Sequence, residues 1–221
     1  MIWDIDVNKR LGTAERGFTM DVRFRSHARR LALFGPSGAG KSQTLQMIAG
    51  LTRPDHGHVQ LNGQYLFNHQ ANTNLPAQQR HLGYVFQDYA LFPHLTVRQN
   101  IAFSLHRGLL NPGRKAQHEA VAHWLDAFHL ESVAHQYPVQ LSGGQRQRTA
   151  LARALVDEPR ALLLDEPFAA LDQALRKHLR QELAELQRQL NIPMILITHD
   201  QEDLDCFADE VIHIQDGRSM A

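Results

Sequence analysis

Apolar and polar residues alternate at the start of the chain, over Ile2 to Val7 and again over Phe18 to Phe24, and a period of two predicts two half-buried strands of an antiparallel edge. Arg30-Leu31-Ala32-Leu33-Phe34 breaks the alternation. A short continuous apolar run that stops at a glycine, Gly35, predicts a buried strand. A helix is expected from Lys41 to about Ala49. Two short alternating runs between His58 and Phe67 then flank Asn62-Gly63, the dipeptide that most favours a tight hairpin, and complete an N-terminal β region.

Further along, His81 to Phe86 predicts another strand, and Thr96 to Phe128 reads mainly as helices broken at Asn111-Pro112-Gly113, a helical insertion. Beyond Pro138 the pattern becomes helix (Gly144 to Val156), apolar strand (Ala161 to Leu164), long helix (Gln173 to Leu190), strand (Met194 to Ile197), short helix (Gln201 to Phe207) and strand (Glu210 to Ile214), with a turn at Gly217. Buried strands alternating with helices predict a parallel α/β sheet. In the long helix Leu175, Leu179, Leu183 and Leu186 recur every three or four residues, so one leucine stripe packs and the charged remainder faces water.

Composition narrows the function classes. The 221 residues suffice for one α/β domain, and 43% hydrophobic content supports an ordinary core. Lys and Arg number 23, as do Asp and Glu, so the chain lacks the basic excess that drives non-specific binding, and no nucleic-acid partner is expected. A single cysteine, Cys206, cannot form an internal disulfide and reads as a small buried residue. The start carries neither a basic nor an apolar signal region, and no run approaches the ~18 apolar residues of a membrane span, which predicts a protein that is soluble or peripheral to a membrane. The 14 histidines stand singly, without the Cys or carboxylate neighbours of a metal site.

The chemistry concentrates in a few motifs. Gly35-Pro36-Ser37-Gly38-Ala39-Gly40-Lys41-Ser42 matches G-x-x-x-x-G-K-[S/T] and lies between a predicted strand and a predicted helix. Its glycines let successive N–H groups converge on an anion, and the helix adds the positive end of its dipole. Lys41 supplies a cation for the β- and γ-phosphates of a nucleotide, and the Ser42 hydroxyl can ligate Mg²⁺. Ala161-Leu162-Leu163-Leu164-Asp165-Glu166-Pro167 delivers two carboxylates at the C-terminal end of a buried strand, where parallel sheets bind ligands. Asp165 would hold Mg²⁺ through its water shell, and Glu166, on the other side, could orient and deprotonate an attacking water. Leu141-Ser142-Gly143-Gly144-Gln145 opens another helix: Ser142 is a good N-cap, and Gly143 and Gly144 expose backbone N–H groups, a second anion site.

The pentapeptide from Leu141 to Gln145, followed by Arg146-Gln147-Arg148 and standing shortly before Asp165-Glu166, resembles the signature motif of ATP-binding-cassette ATPases. The resemblance covers essentially the whole chain. It implies an α/β P-loop NTPase with a mostly parallel core sheet, an N-terminal antiparallel β region and a helical insertion. In that arrangement residues 1–221 form a single ATPase domain: 1–86 and 157–221 are a RecA-like core with its β region, and about 87–156 carry the Q-loop and a helical subdomain. It further implies ATP and Mg²⁺ as cofactors, and a head-to-tail homodimer in which Ser142, Gly143, Gly144 and Gln145 of one copy close over the ATP held by residues Gly35 to Ser42 of the other. Gln87 resembles the Q-loop glutamine that senses Mg²⁺, His199 the switch histidine that contacts the γ-phosphate, and Ala170-Leu171-Asp172 the D-loop that communicates across the dimer. One position departs from the family: where an aromatic residue usually stacks on adenine, this chain has Arg10-Leu11-Gly12-Thr13, and Trp3 and Phe18, the nearest aromatics, are not well placed. Weak base selectivity, including tolerance of GTP, is the expectation.

Within the family, the run from Gly83 to Val97 and Tyr137-Pro138-Val139-Gln140 look like importer ATPases, and Asn8-Lys9-Arg10-Leu11-Gly12 favours the group serving molybdate, sulfate or related oxyanions. Molybdate is the first expectation; sulfate, polyamine, sugar or iron are alternatives. Permease subunits and, indirectly, a substrate-binding protein are the implied partners, at the cytoplasmic face of the cell membrane. Tyr89, Leu91, Phe92 and Pro93 are read as an apolar surface that receives a helix of the permease. A soluble cassette ATPase of repair or translation is the rival from another class, and the signature pentapeptide argues against a P-loop kinase.

Overall fold

A computed structural model describes residues 1–12, 17–106, 111–113, 118–169 and 173–220. The strands are β1 (Trp3–Gly12), β2 (Gly17–Ser26), β3 (Arg30–Phe34), β4 (His56–Leu61), β5 (Gln64–Asn68), β6 (Thr73–Asn74), β7 (Leu82–Val85), β8 (Ala161–Asp165), β9 (Met194–Thr198), β10 (Glu210–Gln215) and β11 (Arg218–Ser219). The helices are α1 (Lys41–Ala49), α2 (Ala77–Arg80), α3 (Val97–Ala102), α4 (Glu119–Ala127), α5 (Gly143–Leu155), α6 (Gln173–Leu190) and α7 (Gln201–Phe207).

These strands form one eleven-stranded sheet in the order β6-β5-β4-β1-β2-β11-β10-β3-β9-β8-β7. From β10 to β7 every neighbouring pair is parallel. On the other side β1 pairs antiparallel with β2 along its whole length and also with β4. The first strand therefore lies inside the β region rather than at its edge, which is β6. Alternation in sequence reports which face of a strand is buried and carries no information on how many neighbours the strand has.

The period of two also divides the interior. On β8, Ala161 and Leu163 join a core with Trp3, Val22, Leu45 and Val59, whereas Leu162 and Leu164 face a second core with Ile101, Leu125 and Leu151. On β9, Ile195 and Ile197 join the first core, and Met194 and Leu196 the second. The parallel strands are thus covered on both faces, which is why they read as unbroken apolar runs. Leu179 and Leu183 of α6 are buried against the second core with Leu186 partly so; the side chain of Leu175 lies outside the described residues. Cys206 is half-buried and free.

Two contacts fix the site's foundation. Arg80 is fully buried, and its guanidinium donates to the carbonyls of Met47 and Ile48 at 2.9 and 2.8 Å and to that of Leu75 at 2.8 Å. It serves carbonyls of the last turn of α1, at the negative end of the helix dipole, adding to the Gly50 N–H that Met47 O already accepts. Burial pulls this guanidinium down to about 10. Arg30 and Asp209 pair across the starts of the neighbouring strands β3 and β10, where the Arg30 N–H also donates to Asp209 Oδ2 at 3.2 Å.

Candidate functional site

β3 ends at Phe34 and the chain turns through Gly35 to Gly40 into α1. Gly35 is required by close approach: a Cβ there would lie 2.0 Å from the Ile214 carbonyl oxygen of β10. The turn after β10 supports the loop from behind, since the Gly217 N–H donates to Ala39 O at 3.0 Å. The N-terminus of α1 has no side-chain cap and no acidic residue in its first turn, so its N–H groups and dipole are left for an anion.

Lys41 is 5% exposed and arches over the loop, its Nζ donating to Gly35 O and Pro36 O at 2.8 Å each. Burial lowers its affinity for a proton, opposed by the charges of Glu166 and Asp165. Across from it, Asp165 closes β8 at 5% exposure and accepts two hydrogen bonds, from Ser42 Oγ at 2.9 Å and from the Tyr84 hydroxyl at 3.2 Å. Burial holds the Asp165 carboxyl above its ordinary value, and the Ser42 and Tyr84 bonds counter this only in part. Burial, then Asp165, pushes the Tyr84 phenol up, so Tyr84 remains a donor.

Ser42, Gln87 and Asp165 line one cleft of ≈ 630 Å³ with Gln46, Phe86, Asp88 and Ala169. A hydroxyl, a carboxylate and an exposed amide are hard oxygen donors with room for water between them, a set that fits Mg²⁺. Glu166 follows Asp165 with φ of 45°, a left-handed backbone that directs its side chain away from the strand's line. Its Oε2 lies 3.4 Å from His199 Nδ1; the His199 side chain is 59% exposed and that of Glu166 15%. His199 also borders a second cleft with Gly35 and Pro36. The structure therefore brings the glycine loop, Asp165, Glu166, Gln87 and His199 to the C-terminal ends of β3, β8 and β9 and to the loop after β7.

Ser142 caps α5 as its sequence suggests: its side chain accepts from the Gln145 N–H at 3.3 Å, and Gln145 Oε1 accepts from the Ser142 N–H at 2.9 Å. The first turn of α5 also lacks acidic residues. Ser142, Gly143, Gly144 and Gln145 line neither of the two clefts just described, so the N-termini of α1 and α5 lie apart on the chain. Asp172, with Ala170 and Leu171, lies outside the described residues.

Some expectations are corrected. Tyr89 is only 3% exposed, its ring part of the second core, so it does not belong to an exposed apolar surface; Phe92 is half-buried, 4.3 Å from the Phe103 ring and under the Arg153 guanidinium. Trp3, with no exposed area, cannot meet a ligand, as expected, whereas a Cβ on Gly40 would lie 3.5 Å from Phe18, which puts Phe18 beside the loop. Sequence reasoning missed Tyr84, because nothing in Gly83-Tyr84-Val85 marks a partner on β8; only the parallel register, which pairs Tyr84 with Leu163, places its hydroxyl near Asp165.

Comparison with known proteins agrees with this geometry. Residues 20–169 match the family described as ABC transporter. The sulfate/thiosulfate import ATP-binding protein CysA of Synechocystis is 44% identical over 215 residues, covering 96% of this chain and 58% of that protein. The spermidine/putrescine import ATP-binding protein PotA of Vibrio vulnificus is 47% identical over 192 residues, covering 87% of this chain and 49% of that protein. The chain thus spans about half the length of these curated relatives. Among solved structures, the dimeric post-hydrolysis state of the ATP-binding cassette MJ0796, bound to ADP and Pi, superposes with a TM-score of 0.81 at 28% identity and covers 100% of this chain and 97% of that one.

Proposed function

The chain belongs to the ABC transporter family, and from that premise we propose that it is the ATP-hydrolysing subunit of an importer, with an oxyanion of the sulfate and molybdate class as its solute. The observation that supports the hydrolytic reading is the hydrogen bond from Ser42 to Asp165, which joins the end of the phosphate loop to the carboxylate that would hold Mg²⁺, with Glu166 next along the chain. Lys41, released from Gly35 O and Pro36 O, would reach the β- and γ-phosphates. Ser42, Asp165 and Gln87 would hold Mg²⁺, which when bound offsets phosphate charge. Glu166 accepts the proton of the attacking water, and His199 contacts the γ-phosphate. Ser142, Gly143, Gly144 and Gln145 serve the nucleotide of a second copy, with Asp172 at the same interface. The chain attaches peripherally to the membrane through a permease, and no helix among the described residues is long and apolar enough to cross a membrane.

The oxyanion is favoured by the CysA-type relative and by the residues at Asn8 to Gly12; the similarity to PotA supports a polyamine as the second reading. The test is phosphate release by the chain reconstituted with its permease and binding protein. Stimulation is expected from binding protein loaded with sulfate or molybdate. Stimulation by spermidine alone would transfer the assignment to polyamines.

A further inference from the structure

Behind Glu166 and His199 lies a buried cation that the hydrolytic reading does not use. Arg180 stands in the middle of α6 and is 6% exposed. Its Nε donates to Asp203 Oδ1 at 2.6 Å, Nη2 donates to Asp200 Oδ2 at 3.0 Å, and Nη1 pairs with Glu202. All three carboxylates belong to Asp200 and the first turns of α7, which Asp200 caps through the Glu202 N–H.

The network continues to the chain neighbours of His199. Asp203, 3% exposed, accepts the Thr198 hydroxyl on its other oxygen at 2.5 Å, and that hydroxyl oxygen accepts the Asp200 N–H at 3.1 Å. Thr198 and Asp200, the residues on either side of His199, are therefore both tied to one guanidinium. Its carbon also lies 6.0 Å from the centre of the Phe168 ring, two residues beyond Glu166, and Phe168 stacks on Phe207 of α7 at 5.8 Å.

Stability alone gives little reason for this arrangement, because a buried ion pair is frequently no better than well-packed apolar residues. A planar fork, however, holds several acceptors in fixed directions, which a flexible ammonium does not. We propose that Arg180 is a positioning residue: by fixing Thr198 and Asp200 on one side and Phe168 on the other, it sets the placement of His199 against Glu166. This rests on the reading of Glu166 and His199 as the hydrolytic pair.

Three substitutions test it. Arg180→Lys keeps the charge and loses the fork, Asp203→Asn keeps an acceptor for Thr198, and Thr198→Val, close in shape, severs the hydroxyl link even should the other two fold poorly. In each folded variant the expected result is a fall in kcat of about tenfold or more, with KM for ATP within about twofold, because small misplacement of catalytic groups lowers the rate far more than binding. In the nucleotide-free chain, the His199 ring resonances, assigned against His199→Gln, should be displaced. Parent-like kcat in folded Thr198→Val and Arg180→Lys, or unmoved His199 resonances, overturns the positioning role. The ring resonances need no turnover, so an unmodified chain that fails to hydrolyse ATP sinks the functional reading separately.

Discussion

The Ser42 hydroxyl donates a 2.9 Å hydrogen bond to Asp165 Oδ1, joining the first turn of α1 to the end of β8. Asp165 accepts its other hydrogen bond from the Tyr84 hydroxyl. Ser42→Ala should leave the fold intact and weaken the Mg²⁺ dependence of ATP binding by about 10–100-fold, the scale on which support of a metal site is felt. Titration of a fluorescent ATP analogue with and without Mg²⁺ reads this directly, and an unchanged difference between the two curves counts against the assignment.

Glu166→Gln keeps the size of the side chain and removes its basicity. Turnover should fall by ~10²–10⁴-fold, the range over which a positioned base contributes, with nucleotide affinity retained. Steady-state phosphate release at saturating ATP measures it; turnover like that of the parent would move the base elsewhere.

Gly35→Ala forces a methyl group to within 2.0 Å of a backbone carbonyl oxygen of β10, an atom that cannot move without breaking the sheet. A loss of ~2–3 kcal/mol is expected, at the upper end for overpacking. At about 2–4 °C per kcal/mol for a domain of this size, the melting temperature should drop visibly. Gly38→Ala, with open space around its Cβ, is the comparison, although its φ of +80° adds backbone strain of its own.

Arg30 holds the Asp209 carboxyl below its ordinary value, first through its side chain. A depressed folded value means that stability is present above the unfolded value of 3.8 and is lost as pH falls through the folded one. Both groups are partly exposed, so the pair contributes less than about 1 kcal/mol. Melting temperature followed from neutral pH to below pH ~3 should decline less steeply for Asp209→Asn than for the parent; parallel curves would remove the pair from the acid response.

How much of this was legible in the sequence follows from what local pattern can encode. The strands β3, β8 and β9, the helix α1 and the cap at Ser142 were all readable, because apolar runs, glycines and capping side chains act within a few residues. The two neighbours of β1 were not, and neither was the burial of Tyr89, since both depend on strands and helices that are distant in sequence. The Arg180 network was hidden for the same reason. In sequence Arg180 is one of many charges on a solvated helix, and only the packing of α6 against α7 aims it at Asp200 and Asp203. Of the nucleotide site, the loop and the carboxylates were visible as motifs, whereas Tyr84 was not, because parallel register is written nowhere in a single strand.

In the proposed dimer a nucleotide is gripped by Gly35 to Ser42 of one copy and covered by Ser142, Gly143 and Gly144 of a second. Light scattering on Glu166→Gln with saturating ATP and Mg²⁺, with the nucleotide-free protein as reference, measures whether two copies pair in this way. The expected mass is that of two chains with nucleotide and of one without, and Ser142→Arg in the same background should abolish the pairing. A mass of one chain at every nucleotide concentration would contradict it.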